Sequence, residues 1–282
     1  IKKMAKQTIY LDSKLNPDNE IQKLVKHKKT FKVLRTNRTC TIEINNIKYI
    51  YTETILKPKY FGLMAEIKKE FLANQDKLKI EKKLSPLDIQ YVDFSESLKN
   101  MVDSSGLYFE TENIICMDIT KAYYYTAFNL KLISKEFFKK CMKLPKHIRL
   151  MLVGSVATSK RIFDYENGKL LDVEIKENEF LRQAWFKICD VVAQCMADIK
   201  NCIGNDFLFY WVDGIFFKPN GGENLRISSI LMEHYKYKFT LEYCNKIEII
   251  NNGSGNEMKV YKGNTIKQFS VPAYNTKGYY IE

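Results

Sequence analysis

Two aspartates stand out for the company they keep. Asp213 is the sole charge in "FYWVDGIFF" (Phe209–Phe217), a run otherwise apolar or aromatic apart from Gly214. Asp118 comes near the end of a second apolar run, "NIICMDI" (Asn113–Ile119). A carboxylate in such a place is either local backbone chemistry or a ligand. Asp-Gly between apolar runs signals a tight hairpin, because both residues tolerate positive φ. Asp118 precedes Lys121 and Ala122 and can serve as a helix N-cap. The alternative is a divalent cation. Magnesium takes hard carboxylate oxygens and completes its shell with water and substrate phosphates, so two acids suffice. Two such ions can clamp the attacking and leaving oxygens of a phosphoryl transfer. A pair of acids at the ends of apolar strands favours the metal reading, and a cap is compatible with it.

The elements that must position these acids follow from pattern. "NIICMDI" reads as a short strand, and "KAYYYTAFNL" after it as helix or turn. "EFLRQAWFKICDVVAQCMADIKNCIG" keeps three-and-four apolar spacing and predicts a long helix from about Glu179 to Cys202, with Gly204 suited to stop it. The hairpin around Asp213 comes next. "NLRISSILMEHYKYK" reads as a helix, and "FTLEYCNKIEII" and "EMKVYKG" as strands. Upstream, Thr39–Leu56 predicts two strands around Asn45-Asn46, and "RIFDYENGKLLDVEI" a hairpin at Asn167-Gly168. "YFGLMAEIKKEFLANQDKLKI" reads as a basic amphipathic helix, although Gly62 weakens its start. Strand, helix, hairpin, helix, strand is the order a polymerase palm requires.

Composition narrows the partner. The chain has 282 residues, 45% of them hydrophobic, enough for a sizeable core. Its net charge of +12 favours a polyanionic partner, most often nucleic acid. The seven cysteines are odd in number and form no C-x-x-C pair, which argues against zinc and for a reducing, cytoplasmic compartment. The three histidines lack ligand spacing. No run of eighteen apolar residues points to a membrane.

With these elements in place, the motifs resemble those of family B DNA polymerases, across roughly residues 113–263. "MDITKAYYYTAFNL" is similar to their motif A, with Asp118 at the metal aspartate and Tyr123 at the tyrosine that excludes the ribose 2′-OH. "FYWVDGIFF" resembles motif C, with Asp213 at its second, metal-binding aspartate. "RLMLVGSVA" looks like motif B, with Arg149 at the cation that clamps the triphosphate, a basic region that Lys160 and Arg161 extend. "EMKVYKG" resembles the Lys-x-Tyr motif, with Lys259 and Tyr261 near the primer terminus. The compactness points to the protein-primed branch.

The resemblance implies an α+β fold: a polymerase-like palm, an antiparallel sheet with packed helices, with short fingers at about 130–200. Residues 1–110 would be a basic N-terminal region and 111–282 the catalytic domain. It implies catalysis by Asp118 and Asp213, with Ile119 joining them in a site for two Mg²⁺ or Mn²⁺ ions. Tyr123, Arg149 and Lys160 would bind the nucleotide, and Lys259, Tyr261 and Trp211 the primer or nucleic acid. The implied partners are a DNA primer-template and nucleoside triphosphates, with a terminal protein or another replication subunit, as in viral or mobile-element replication.

The departures from the pattern are specific. Trp211 stands where motif C has its first aspartate; alternation puts it on the face of Asp213 if the turn keeps register. Val153 and Val156-Ala157 alter motif B, and Tyr124 replaces the proline of motif A. The N-terminal stretch is too short for a proofreading exonuclease domain, and the stretch after Gly263 for a usual thumb, so low processivity or primase-like behaviour is expected. The alternative is a catalytically inactive palm kept as a nucleic-acid-binding or scaffold protein. A reverse transcriptase or RNA polymerase palm fits less well, because Gly214 follows Asp213 where those prefer a second acid.

Overall fold

The computed structural model describes residues 7–12, 14–36, 39–52, 58–98, 109–251 and 256–271. The chain opens with β1 (Gln7–Asp12), α1 (Pro17–Lys26), β2 (Phe31–Arg35), β3 (Thr39–Ile44), β4 (Ile47–Thr52) and α2 (Pro58–Ala73). It continues through β5 (Val92–Phe94), β6 (Phe109–Ile119), α3 (Ala122–Asn129), α4 (Lys135–Met142) and α5 (Lys146–Gly154). A hairpin of β7 (Lys160–Glu166) and β8 (Lys169–Lys176) leads into the long α6 (Glu179–Ile203). The last elements are β9 (Phe207–Trp211), β10 (Gly214–Phe217), α7 (Glu223–His234), β11 (Phe239–Asn251), β12 (Asn256–Lys262) and β13 (Thr265–Val271). The protein is thus α+β, with mostly antiparallel sheets.

The chain divides into two compact units, and the division differs from the expected boundary at residue 110. The first holds Ile1–Asp76 and Lys135–Trp185, the second Lys77–Ser134 and Phe186–Glu282. The reason is a non-local strand pairing. Residues 160–166, expected within short fingers, form β7, which pairs antiparallel with β2 from Phe31↔Tyr165 to Arg35↔Arg161. The segment around them therefore belongs with the N-terminal strands.

The first unit carries a six-stranded sheet in the order β1-β4-β3-β2-β7-β8, in which β1 and β4 run parallel. α1 starts on Asn16, whose side chain accepts from the Asp18 N–H at 2.9 Å, with Pro17 in its first turn. Its buried Ile21, with Leu24 and Val25, packs on Phe31, Val33 and Ile42 of the sheet. The expected hairpins form for the reason the sequence suggests. Asn45 and Asn46 both take positive φ (50° and 64°), as do Asn167 and Gly168 (49° and 75°). At Gly168 a Cβ would come within 2.4 Å of the Val25 carbonyl oxygen, so a side chain is excluded there. Residues 53–56, at the end of the second predicted strand, lie outside the described residues.

The second unit is built on a seven-stranded, fully antiparallel sheet in the order β13-β12-β11-β6-β10-β9-β5. Its centre is a β-α-β-β-α-β run. β6, β9, β10 and β11 are its first to fourth strands, with α3 and α6 in the first crossover and α7 in the second. Their spatial order is fourth, first, third, second. Successive side chains on a strand point to opposite faces. Ile115, Met117 and Ile119 of β6 therefore face one way and pack with Val192, Met196 and Ile199 of α6 in a buried core. Cys116 and Asp118 face the other way.

Candidate active site

β6 is a central strand, paired with β10 on one side and β11 on the other, so Asp118 stands in the middle of the sheet. Its cross-strand partners are Gly214 on β10 and Thr240 on β11. Gly214 in turn faces Trp211 on β9, and Trp211 faces Val92 on β5. Directly opposed residues in a sheet share a face. Val92, Trp211, Gly214, Asp118 and Thr240 therefore form one transverse row. The next row, away from the turn, is Phe94, Phe209, Phe216, Cys116 and Glu242. Its aromatic members stack, with Phe209 and Phe216 centroids 4.2 Å apart and Phe94 and Phe209 5.9 Å apart.

Asp213 lies in the turn beside the first row, and the turn is not the one expected. Trp211 pairs with Gly214, so the two loop residues are Val212 and Asp213, while Gly214 belongs to the strand. Val212 carries φ 58°; neither Asp213 nor Gly214 is in the positive-φ region. A β-branched residue there is a true outlier and stores strain on the order of 1–3 kcal/mol. Hydrogen bonds on both sides hold it. The Val212 N–H donates to the Tyr91 carbonyl at 2.8 Å, and the Ile119 N–H donates to the Asp213 carbonyl at 2.8 Å. Asp213 is thereby bonded through its backbone to the residue that follows Asp118. Gly214 is needed for room rather than for φ. A Cβ built on it would lie 3.8 Å from Asp118 Oδ2, an ordinary contact, so the carboxylate leans towards the space a side chain would fill.

A second left-handed residue, Lys121 (φ 58°), makes the sharp exit from β6 into α3. It sets the three tyrosines that follow. Tyr124 is buried at 3% exposure, which leaves it no access to a substrate sugar. Tyr123 and Tyr125 are half-buried and pack on the core under the sheet. Tyr123 is also among the groups acting on Tyr91, whose phenol is pushed well above its usual range by burial first, then by Cys189, Tyr123 and Asp190. Ile119 is buried, and its contribution here is the backbone link to Asp213.

The basic residues fall less simply. Arg149 lies on α5 in the first unit, and its guanidinium donates to the Leu144 carbonyl. Lys160, also in the first unit, opens β7 and is exposed. Lys259 and Tyr261 share one face of β12, as alternation requires. There the Tyr261 hydroxyl donates to Glu248 at 2.6 Å, and the Lys246 ammonium stands 5.6 Å from the Tyr261 ring. Met258, Val260 and Lys262 take the other face. Lys262 reaches the second row: it donates to Glu242, lies 3.4 Å from Cys116 Sγ and sits 5.6 Å from the Phe216 ring. Burial opposes its charge, but the Glu242 bond and the Cys116 and Cys244 thiols outweigh that and hold its pKa above the usual lysine value. Lys262 is thus a cation placed beside Cys116 and Glu242 in the second row. Its only sequence signal is the second lysine of "KVYKG", and nothing in the sequence marks it over the first.

Among the described residues, no group of three or more His, Cys, Asp or Glu is placed to hold a metal ion. All seven cysteines are free thiols. Asp118 on this face and Asp213 in its turn are both half-buried, and the Asp213 backbone is bonded to the residue after Asp118. That set fits a magnesium-type ion, which takes one or two carboxylates and draws its remaining ligands from water and phosphate. No described helix is long and apolar enough to cross a membrane. No protein-family model matches the chain, and no curated protein matches it.

Proposed function

We propose that this chain is a template-directed nucleotidyltransferase, a DNA polymerase-like enzyme on a family B-like palm. The observation that carries this reading is the position of two acids in a β-α-β-β-α-β sheet. Asp118 sits on the first strand opposite Gly214, and Asp213 in the adjoining hairpin turn, its carbonyl bonded to Ile119. Palms of this class use the same strand order and the same two positions for their metal carboxylates.

On this reading Asp118 and Asp213 hold Mg²⁺ or Mn²⁺, which would neutralise charge on the reacting phosphate oxygens. Tyr123 is assigned to sugar choice by its place in the motif alone, since its ring packs on the core under the sheet. Lys262 supplies positive charge for phosphates, in keeping with the net charge of +12, and Arg149 and Lys160 of the first unit keep a nucleotide-phosphate role only as the motif resemblance implies. The partners are a primed DNA template and nucleoside triphosphates, with a terminal protein or another replication subunit.

Primer extension with Mg²⁺ or Mn²⁺ tests this directly, comparing dNTPs with NTPs and primed with unprimed templates. Extension of a primed template with dNTPs is the expected result. Nucleic-acid binding with no extension under any of these conditions would favour the inactive palm. That second reading draws on Trp211 in place of an acid and on the local bond that occupies Arg149.

A further inference from the structure

The six-stranded sheet of the first unit collects cations at one end. Arg35 closes β2, Lys160 and Arg161 open β7, and Lys176 closes β8. Register sets them directly opposite one another: Arg35 faces Arg161 across β2 and β7, and Lys160 faces Lys176 across β7 and β8. Like charges directly opposed on a ladder repel and cost stability. A fifth cation joins them from α2. The short turn Ser155–Ala157, which leads into β7, packs against α2, and Lys68 on that helix comes close enough to feel the charge of Lys160. Lys68 is half-buried, and its pKa is lowered by burial first and by Lys160 second. Elsewhere in the unit cations are answered by carboxylates: Lys32 by Asp164 at 3.0 Å, Lys48 by Glu43 at 2.6 Å and Lys140 by Glu66 at 2.6 Å. At this end ion pairs answer only part of the charge. Asp18 pairs with Arg35, and Glu174 with Lys176 at 3.2 Å. Among the described residues, no ion pair holds Lys68, Lys160 or Arg161.

We propose that this end of the sheet is a docking site for the phosphate backbone of a nucleic-acid strand, held by Lys68, Lys160 and Arg161. Phosphate supplies what the fold leaves out: negative charge between opposed cations, and a partner for an ammonium that has lost part of its water. The cluster spans three adjacent strands, so its charge extends over about 10 Å, wider than one phosphate. A ligand with several phosphates in a row meets it better than a single anion. The rival bearer of phosphates is an anionic membrane, since Ile175, directly opposite Arg161, is 61% exposed. Lys68 favours the strand. Its half-buried ammonium is within reach of a phosphate projecting from a flexible chain, and recessed from a flat layer of headgroups. Such contacts go to the backbone and carry no sequence preference. The inference does not rest on the nucleotidyltransferase reading: a strand docks here whether or not Asp118 and Asp213 add nucleotides.

Fluorescence anisotropy of a labelled single-stranded oligonucleotide of mixed sequence tests the site. Lys160→Gln combined with Arg161→Gln, both at exposed positions, should weaken binding about tenfold and flatten the log–log salt slope by about 1.4, the loss of two contacts of about 0.7 each. Lys68→Met keeps the aliphatic stem and removes the charge. It should weaken binding several-fold and at the same time raise the melting temperature of the free protein, because a half-buried ammonium beside another cation is destabilising. A lysine with a merely structural role would not move the two in opposite directions. Lys169→Gln removes the same charge from the other end of the β7–β8 hairpin and should change neither affinity nor slope appreciably. Full affinity in both the Lys160/Arg161 and the Lys68 variants, or an equal loss in Lys169→Gln, would overturn the proposal. So would displacement of the oligonucleotide by inorganic phosphate at an equal concentration of phosphate groups, which would make this a single-anion site. Sedimentation with phosphatidylserine vesicles, lost in the same variants and without oligonucleotide binding, would overturn it in favour of a membrane. Primer extension with unchanged affinity in these variants would remove the docking site and leave the enzyme reading intact. Affinity loss in a protein that never extends a primer would do the reverse.

Discussion

Asp118 and Asp213 differ in how they are held, and their substitutions should differ in consequence. Asp118 sits on a central strand, paired on both sides. Asp213 sits in a strained two-residue turn, where its backbone carbonyl accepts from the Ile119 N–H, a bond that an isosteric side chain leaves in place. Asp213→Asn should therefore fold with an unchanged melting curve and lose about a thousandfold or more in rate, the order expected when charge stabilisation of phosphoryl transfer is removed. The tyrosines separate in the same way. Tyr124→Ala opens a cavity in the core and should destabilise by about 3 kcal/mol or more, read from denaturant unfolding. Tyr123→Ala removes a half-buried ring and should cost nearer about 1 kcal/mol. If its place in the motif is also its role, folded Tyr123→Ala should raise the use of NTPs relative to dNTPs in primer extension. An unchanged dNTP/NTP ratio in folded Tyr123→Ala would take that role away from Tyr123.

At the scale of elements, the Val212–Asp213 turn is where local preference and observed structure part. Val212→Gly should relieve the positive-φ strain and raise stability by about 1 kcal/mol in equilibrium unfolding, while loosening the turn and lowering activity. A loss of stability would mean the Val212 side chain contributes more than its backbone costs. The same turn shows what could be read from sequence. Asn45-Asn46 and Asn167-Gly168 were legible because their residues tolerate the φ they adopt. The Asp213-Gly214 pair suggested the same device one residue too far along, because nothing in the sequence advertises a valine in a left-handed turn. The long helix α6 was legible from its apolar period, since that period is the stripe it buries. The pairing of β7 with β2 was not, because a ladder between residues 31–35 and 161–165 leaves no local trace. The place of Lys262 beside Cys116 and Glu242 was not legible for a related reason: it depends on how β12 lies against β11, which a single strand does not reveal.

For the whole molecule, the governing quantity is charge. On the proposed reading, a net charge of +12 implies nucleic-acid binding dominated by counterion release. The logarithm of affinity for duplex DNA should fall linearly with the logarithm of salt, by about 0.9 per phosphate contacted, and should not depend on sequence. Binding indifferent to salt would contradict that picture. The central claim is narrower: that the two acids form one divalent-metal centre for nucleotide addition. The measurement that tests it most directly is extension of a primed template in Mn²⁺ by the parent protein, Asp118→Asn and Asp213→Asn side by side, with circular dichroism to show that all three are folded. The account predicts elongated product from the parent, and none from either variant. Equal product from the parent and from both folded variants would contradict it.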